Sequence, residues 1–251
     1  MTAAALHDYE HPGVNNLFLI RLQDPIAIRY SDISVLENHH IAASFELMLG
    51  NSQNNWAYQF EQADFLRVRQ LMIDCVLATD MSHHFKELNE LKQRVAQEDF
   101  APAKGKDKLA VIKFAFHLAD ISNPIKAWDL CKEWTDLLYV EFFSQGDLER
   151  QHSFPITQLC DRSVTNVAKS QIGFIDFIIK PSYQVLVNLC PSLQSLMTSI
   201  ERNRSSWMGE FDSYEERMIE GNNYMIESIE SRNLPGASNI TKARRILAQK
   251  T

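Results

Sequence analysis

An all-helical domain is what this sequence predicts, and three observations carry the prediction. Gly and Pro number only 8 each in 251 residues, about half their usual share, so turn-formers are scarce for a chain of this length. Apolar residues recur at three-to-four spacing from the start of the chain to about residue 207, the period that lays them along one side of a helix. Period-two alternation closed by turn pairs, the mark of half-buried strands, is nowhere sustained. With 45% hydrophobic and 23% charged residues, the chain suffices for one substantial core, a single globular domain or slightly more.

The elements follow in order. Asp24-Pro25 has the N-cap and first-turn chemistry of a helix start. Ser34-Val-Leu-Glu37 reads as a capping box leading into the apolar run Ile41–Leu49. Phe65, Leu66, Val68, Leu71, Met72, Cys75 and Val76 form one apolar stripe. Residues 111–121 repeat the pattern until Pro124 stops it. Ala127, Trp128, Leu130, Cys131, Trp134, Leu137, Leu138 and Phe142 make a longer stripe, expected to end near Gly146. Residues 164–179 and 183–196 complete the set. The helical domain is expected over 1–208 and a polar, charged tail over 209–251. In that tail, residues 213–231 read as one more exposed helix, Asn233-Leu-Pro-Gly236 as a break, and Lys242–Arg245 as a basic, mobile end.

A net charge of −7 argues against a nucleic-acid polymer as partner, although a metal site can still draw a small anion. The four cysteines, Cys75, Cys131, Cys160 and Cys190, form no CxxC pair, which points to a reducing compartment and no zinc ribbon. No signal peptide and no apolar run near the roughly 18 residues of a membrane span is present. The expected location is cytoplasmic.

Chemistry concentrates first in His7-Asp8-Tyr-Glu-His11. On a helix His7 and His11 share a face, and a carboxylate beside an imidazole suits a pair of metal ions. An HD pair alone is more often just a polar helix end. The run His117-Leu-Ala-Asp120-Ile-Ser-Asn123-Pro124 adds support: an acid closing a helix meets the negative end of the dipole, and a cation would offset that cost. Glu37-Asn-His-His40 sits at a helix start, suited either to orienting metal ligands or to capping alone. His83, His84 and His152 read as exposed, Cys160-Asp161-Arg162 as a turn and cap, and Met81, Trp134 and Phe143 as core.

Taken together, "AAALHDYEHPGVNNLFLI", "YSDISVLENHH", "VLATDMSHH", "HLADISNP", "EWTDLLYVEFFSQGD", "LCDRSV" and "KSQIGFIDFI" resemble the class I cyclic nucleotide phosphodiesterases of eukaryotes over most of residues 3–208. HDYEH and the CDRS to SQIGFIDFI stretch look closest to the calmodulin-stimulated subfamily. HPG and ISNP look more like the cyclic-AMP-selective ones, so no subfamily is assigned. The resemblance implies a compact multi-helix catalytic domain of the HD type that hydrolyses cyclic AMP, or cyclic GMP, to the 5′-monophosphate. It implies that His7, Asp8 and Asp120 bind zinc and magnesium (or manganese), with Asp8 shared, and that His11 and Glu37 attend the water the metals activate. It places Thr79 behind the metals, Gln171 on the purine edge, Phe174 stacked on the base, and Leu138 on its other side. Phe142 and Met81 line the pocket, and Asn123 matches an asparagine of cyclic-AMP-selective members.

The family pattern also has an HNxxH segment upstream of the HD motif, whose histidines supply the proton donor and a zinc ligand. These 251 residues contain none. The expectation is therefore a fragment of a longer active enzyme that lacks its N-terminal helices and turns over slowly by itself. An inactive nucleotide-binding or regulatory fragment is the alternative, and a non-nucleotide HD-type phosphohydrolase a weaker one, since such an enzyme has no use for a purine clamp.

Overall fold

The computed structural model describes residues 1–220. The chain forms two compact units, one of residues 1–11 and 15–120, the other of residues 12–14 and from Ile121 onward. The described residues contain helices and no strand, as the scarcity of turn-formers predicts. None of these helices is long and apolar enough to cross a membrane.

In the first unit, α1 (Thr2–Leu6), α2 (Asn16–Arg21), α3 (Pro25–Arg29), α4 (Val35–Gly50), α5 (Gln62–Leu77), α6 (His84–Val95) and α7 (Gly105–Asp120) follow one another. Ala3, Ile41, Phe45, Met48, Met72, Cys75 and Val76 form the core, and Leu6, Phe65, Val68, Ile112 and Phe116 pack against it. That core joins α1, α4, α5 and α7, and so fixes where α1 and α7 end. Asp24 caps α3 as expected, its carboxylate accepting from the Ile26 N–H at 3.0 Å.

The capping box at α4 does not form. Ser34 is left-handed (φ 40, ψ 54) and makes no side-chain cap; its hydroxyl donates to Asp80 Oδ2 at 2.7 Å instead. Ser31 (φ 55) and Asp32 (φ 61) are left-handed too, so the chain enters α4 through a strained turn. His84 is also not exposed. It is 2% accessible, and its Nδ1 lies 2.9 Å from Nε2 of the equally buried His117, a partner 33 residues away that no local pattern announces.

In the second unit a 3-10 turn (Asn123–Ile125) leads to α8 (Trp128–Gln151), α9 (Val167–Phe174), a π turn (Ile175–Ile179), α10 (Lys180–Leu189), a 3-10 turn (Pro191–Leu193) and α11 (Gln194–Glu220). Tyr139, Ile175, Ile179, Tyr183, Ile200 and Trp207 are buried, and Asn203 donates 2.8 Å hydrogen bonds to the carbonyls of Pro124 and Lys126. The π turn has a cause in Pro181, which lacks an N–H and whose ring would clash with the carbonyl four residues back in a regular helix; the wider turn absorbs both defects.

Helix α8 does not end at Gly146 but passes through it to Gln151. The glycine is there for space: a Cβ at Gly146 would stand 1.9 Å from the Cys160 carbonyl oxygen. Part of the α8 stripe also stays outside the core, since Leu130, Trp134 and Leu138 are exposed while Cys131 and Phe143 are buried. Met81, in the first unit, is likewise exposed. Three cysteines are buried and Cys190 is exposed. The boundary expected near residue 208 falls inside α11, and the expected helix at 213–231 begins as part of it. The break at Asn233–Gly236 and the basic segment Lys242–Arg245 lie outside the described residues.

Candidate functional site

The HD motif is not on a helix. Helix α1 stops at Leu6, His7 is its C-cap, residues 7–10 form a turn, and Glu10 is left-handed at φ 62. The shared helix face expected for His7 and His11 is therefore replaced by a turn whose side chains are held one at a time. His7 Nδ1 lies 3.0 Å from the Ala4 carbonyl oxygen. That oxygen can only accept, so Nδ1 carries a proton. His7 Nε2 lies 3.0 Å from Asp120 Oδ1 and 3.1 Å from Asp8 Oδ2.

Two carboxylate oxygens around one ring nitrogen call for positive charge among them. In the protein alone the ring supplies it: the hydrogen bond to Asp120, then that to Asp8, raise His7 to about 10 against the opposing effect of burial. Burial pushes the Asp8 carboxyl up, but the His7 hydrogen bond and neighbouring imidazoles outweigh it and hold the group below the usual range. One donor atom from each of His7, Asp8 and Asp120 falls within a 4.8 Å cluster. An imidazole nitrogen with two carboxylate oxygens fits a divalent cation of the zinc or magnesium kind. Asp120 is the last residue of α7, where the helix dipole disfavours an anion and a cation restores the balance.

Around this trio lie further polar groups. His40 is 1% accessible, and its Nδ1 donates to the Tyr9 carbonyl at 2.7 Å. Burial lowers it to about 4, so it stays neutral, with Nε2 3.8 Å from Asp8 Oδ1. His11 stacks on His40, ring centroids 5.5 Å apart. Burial raises the Glu37 carboxyl, opposed by a hydrogen bond from Asn16, with Asp80 and His11 near enough to act on it. Thr79 follows α5, its hydroxyl donating to the Val76 carbonyl at 2.7 Å, which leaves only its lone pairs for a ligand.

The residues expected to read a base lie in the second unit. Gln171 and Phe174 are three apart on α9, on one face, Gln171 buried and Phe174 half-buried. Burial pushes the Tyr139 hydroxyl up, while hydrogen bonds with the Ser170 and Gln171 side chains pull it back; Tyr139 thus touches the Gln171 amide. Leu138 and Phe142 are one turn apart on α8, Leu138 exposed and Phe142 half-buried. Asn123 Nδ2 lies 3.0 Å from the Cys131 carbonyl and 3.1 Å from Thr135 Oγ1. Since a carbonyl only accepts, the amide nitrogen faces inward, and Asn123 Oδ1 is buried without a partner.

Of the site residues read from the sequence, His7, Asp8 and Asp120 converge from opposite ends of the first unit, and His11 and Glu37 lie in the same polar neighbourhood. Two residues with no local signal take part, one in each unit. Asn16 bonds Glu37 across 21 positions, and Tyr139 reads from sequence as one more apolar residue of a long helix.

A model of the 3′5′-cyclic nucleotide phosphodiesterase family matches residues 1–200. The chain is 42% identical over 204 residues to the dual specificity calcium/calmodulin-dependent 3′,5′-cyclic nucleotide phosphodiesterase 1B of Cricetulus griseus, covering 81% of this chain and 37% of that protein. It is 42% identical over 193 residues to the 1C enzyme of Homo sapiens, covering 77% of this chain and 26% of that one. Thus the chain spans about a quarter to a third of the length of these curated relatives. Among solved structures, the phosphodiesterase domain of the Salpingoeca rosetta rhodopsin phosphodiesterase superposes with a TM-score of 0.79 at 33% identity, over 87% of this chain and 67% of that one.

Proposed function

Because the chain belongs to the 3′5′-cyclic nucleotide phosphodiesterase family, we propose that it hydrolyses a 3′,5′-cyclic nucleotide, cyclic AMP in preference to cyclic GMP, to the 5′-monophosphate. The observation that carries this reading is the cluster of His7, Asp8 and Asp120. These residues would hold divalent metal, zinc and magnesium (or manganese), with Asp8 as a common ligand. Metal bound there would supply charge neutralisation at the phosphate and acidify a water. Everything else falls to the chain. The Glu37 carboxylate accepts a proton from the attacking water, and His11, stacked against neutral His40, orients it. The oxygen of that water adds to phosphorus, the bond to the 3′ oxygen breaks, and the 3′ oxygen takes up a proton from solvent while Glu37 returns the one it accepted. Thr79 offers its lone pairs behind the metal ligands.

Gln171 hydrogen-bonds the purine edge, Phe174 stacks on its face, and Leu138 and Phe142 supply apolar flanks. Asn123, its amide nitrogen turned inward to the Cys131 carbonyl, stands where the resemblance places an asparagine of cyclic-AMP-selective members, and this supports the preference for cyclic AMP. The relatives named dual specificity enzymes support acceptance of cyclic GMP as well.

Formation of 5′-AMP from cyclic AMP by the purified chain, with zinc and magnesium present, is the test. Asp120→Ala is expected to lower kcat/KM by about 100-fold or more, the order of one transition-state electrostatic partner. Unchanged turnover in that variant would refute the metal assignment. Binding of cyclic AMP with no 5′-AMP formed would instead leave a nucleotide-binding module.

A further inference from the structure

We propose that Asn16 is the positioning residue of Glu37, holding its carboxylate in place and ionised; the catalytic consequence rests on the role proposed above for Glu37, whereas the contact itself does not. Asn16 opens α2 and sends one side-chain amide to two adjacent residues of α4. Its Oδ1 accepts the Leu36 N–H at 2.9 Å, and its Nδ2 donates to Glu37 Oε2 at 3.0 Å. The Leu36 N–H can only donate, so the amide has a single sense, and the atom facing Glu37 must be a donor. A donor at that place stabilises the ionised carboxylate over the protonated acid.

The local backbone explains why an outside residue is needed. At the start of a helix the N–H groups lack partners within the helix. A serine at the N-cap with a glutamate three residues on would ordinarily satisfy each other. Here Ser34 is left-handed and committed to Asp80, which frees Glu37 from the capping box and leaves the Leu36 N–H unserved. Asn16 meets both needs at once. Besides burial, the groups acting on Glu37 are Asn16 from α2, its own backbone N–H, Asp80 after α5, and His11 after α1. Asp80 is an anion beside an anion, and the Asn16 donor is the larger of the two neutral contacts, with Glu37's own backbone N–H, that offset it.

Two substitutions separate the two bonds. Asn16→Asp keeps an acceptor for the Leu36 N–H and replaces the donor to Glu37 with a second carboxyl. Asn16→Ala removes both. Side-chain carboxyl carbons of the glutamate-labelled full chain, without added metal, are titrated by NMR, alongside thermal unfolding of each variant. The Glu37 midpoint is expected to rise by a unit or more in Asn16→Asp and by less in Asn16→Ala, while unfolding stays near wild type in Asn16→Asp and falls in Asn16→Ala. A Glu37 midpoint in Asn16→Asp equal to wild type overturns the proposal. Turnover decides the other question. With Glu37 as the proton acceptor, the acid limb of kcat/KM for cyclic AMP moves up in step with the NMR midpoint, with kcat falling more than KM changes. An acid limb that stays put while the midpoint moves refutes the role of Glu37 and leaves the Asn16 contact standing.

Discussion

The polar turn at His7–His11 and the face of α9 are built on opposite plans. In the first unit the proposed chemistry sits at helix ends: His7 caps α1, Asp120 ends α7, and Glu37 stands in the first turn of α4. The side chains are fastened by hydrogen bonds: His7 donates to the nearby Ala4 carbonyl and meets the sequence-distant Asp120, His40 donates to the Tyr9 carbonyl, and Glu37 accepts from Asn16. In the second unit Gln171 and Phe174 ride on one continuous helix whose placement comes from packing, with Val167, Ala168, Ile175 and Ile179 fully buried beneath them. The difference teaches where each region is vulnerable. Polar fastening fails when a proton or a partner is lost, whereas packing fails when a methyl group is added or removed.

The largest effect is expected from packing. Gly146→Ala sets a Cβ against the Cys160 carbonyl, and backbone there cannot yield cheaply. Overpacking of this kind costs about 3 kcal/mol, so the thermal midpoint should fall by several degrees. An unchanged midpoint would show that the second unit is not packing-limited. Next comes Phe174→Ala, which removes the surface proposed to stack on the base. Stacking of a base on an aromatic is worth about 1–3 kcal/mol, so the Kd for cyclic AMP should rise roughly 10- to 100-fold by calorimetry while zinc affinity stays the same. A parallel loss of zinc affinity would dissolve the contrast between the two regions.

The effect most dependent on conditions is acid sensitivity of the first unit. Burial lowers His84 to about 4, below the usual value of about 6.5 for the unfolded chain. The unfolded state therefore takes up protons between those values that the folded state refuses. The stabilising contribution is full above pH 6.5 and is lost as pH falls toward 4, at about 1 kcal/mol per pH unit for one such group. Urea midpoints between pH 7 and 4.5 should drop accordingly. His84→Gln should flatten that slope without erasing it, because His40 is lowered by burial in the same way. An equal slope in the variant would mean that the imidazole pair does not take part.

The same contrast decides how much was legible in the sequence. Helices and the Asp24 cap follow from residue types and spacing, whereas an HD pair and an acid closing a helix are only unusual in one dimension, and it was the resemblance to the phosphodiesterases that set His7, Asp8 and Asp120 together. The Ser34–Glu37 box looked sound locally and failed because Asp80 and Asn16, 46 and 21 positions away, outcompete it. His84 looked like a polar helix start because its partner His117 is equally remote. Gly146 carries a helix-end signal yet serves a close backbone approach. The apolar period of α8 correctly gives a helix but overstates its buried face, since Trp134 and Leu138 remain exposed. In each case local pattern gives the element, and a non-local contact decides what the residue does.

The central claim is that His7, Asp8 and Asp120 hold divalent metal for cyclic nucleotide hydrolysis, and zinc titration tests it most directly. Calorimetry of zinc into the full chain should give a tight site that weakens at least roughly 10-fold in both His7→Ala and Asp120→Asn. Isotherms in these variants indistinguishable from wild type would contradict the account.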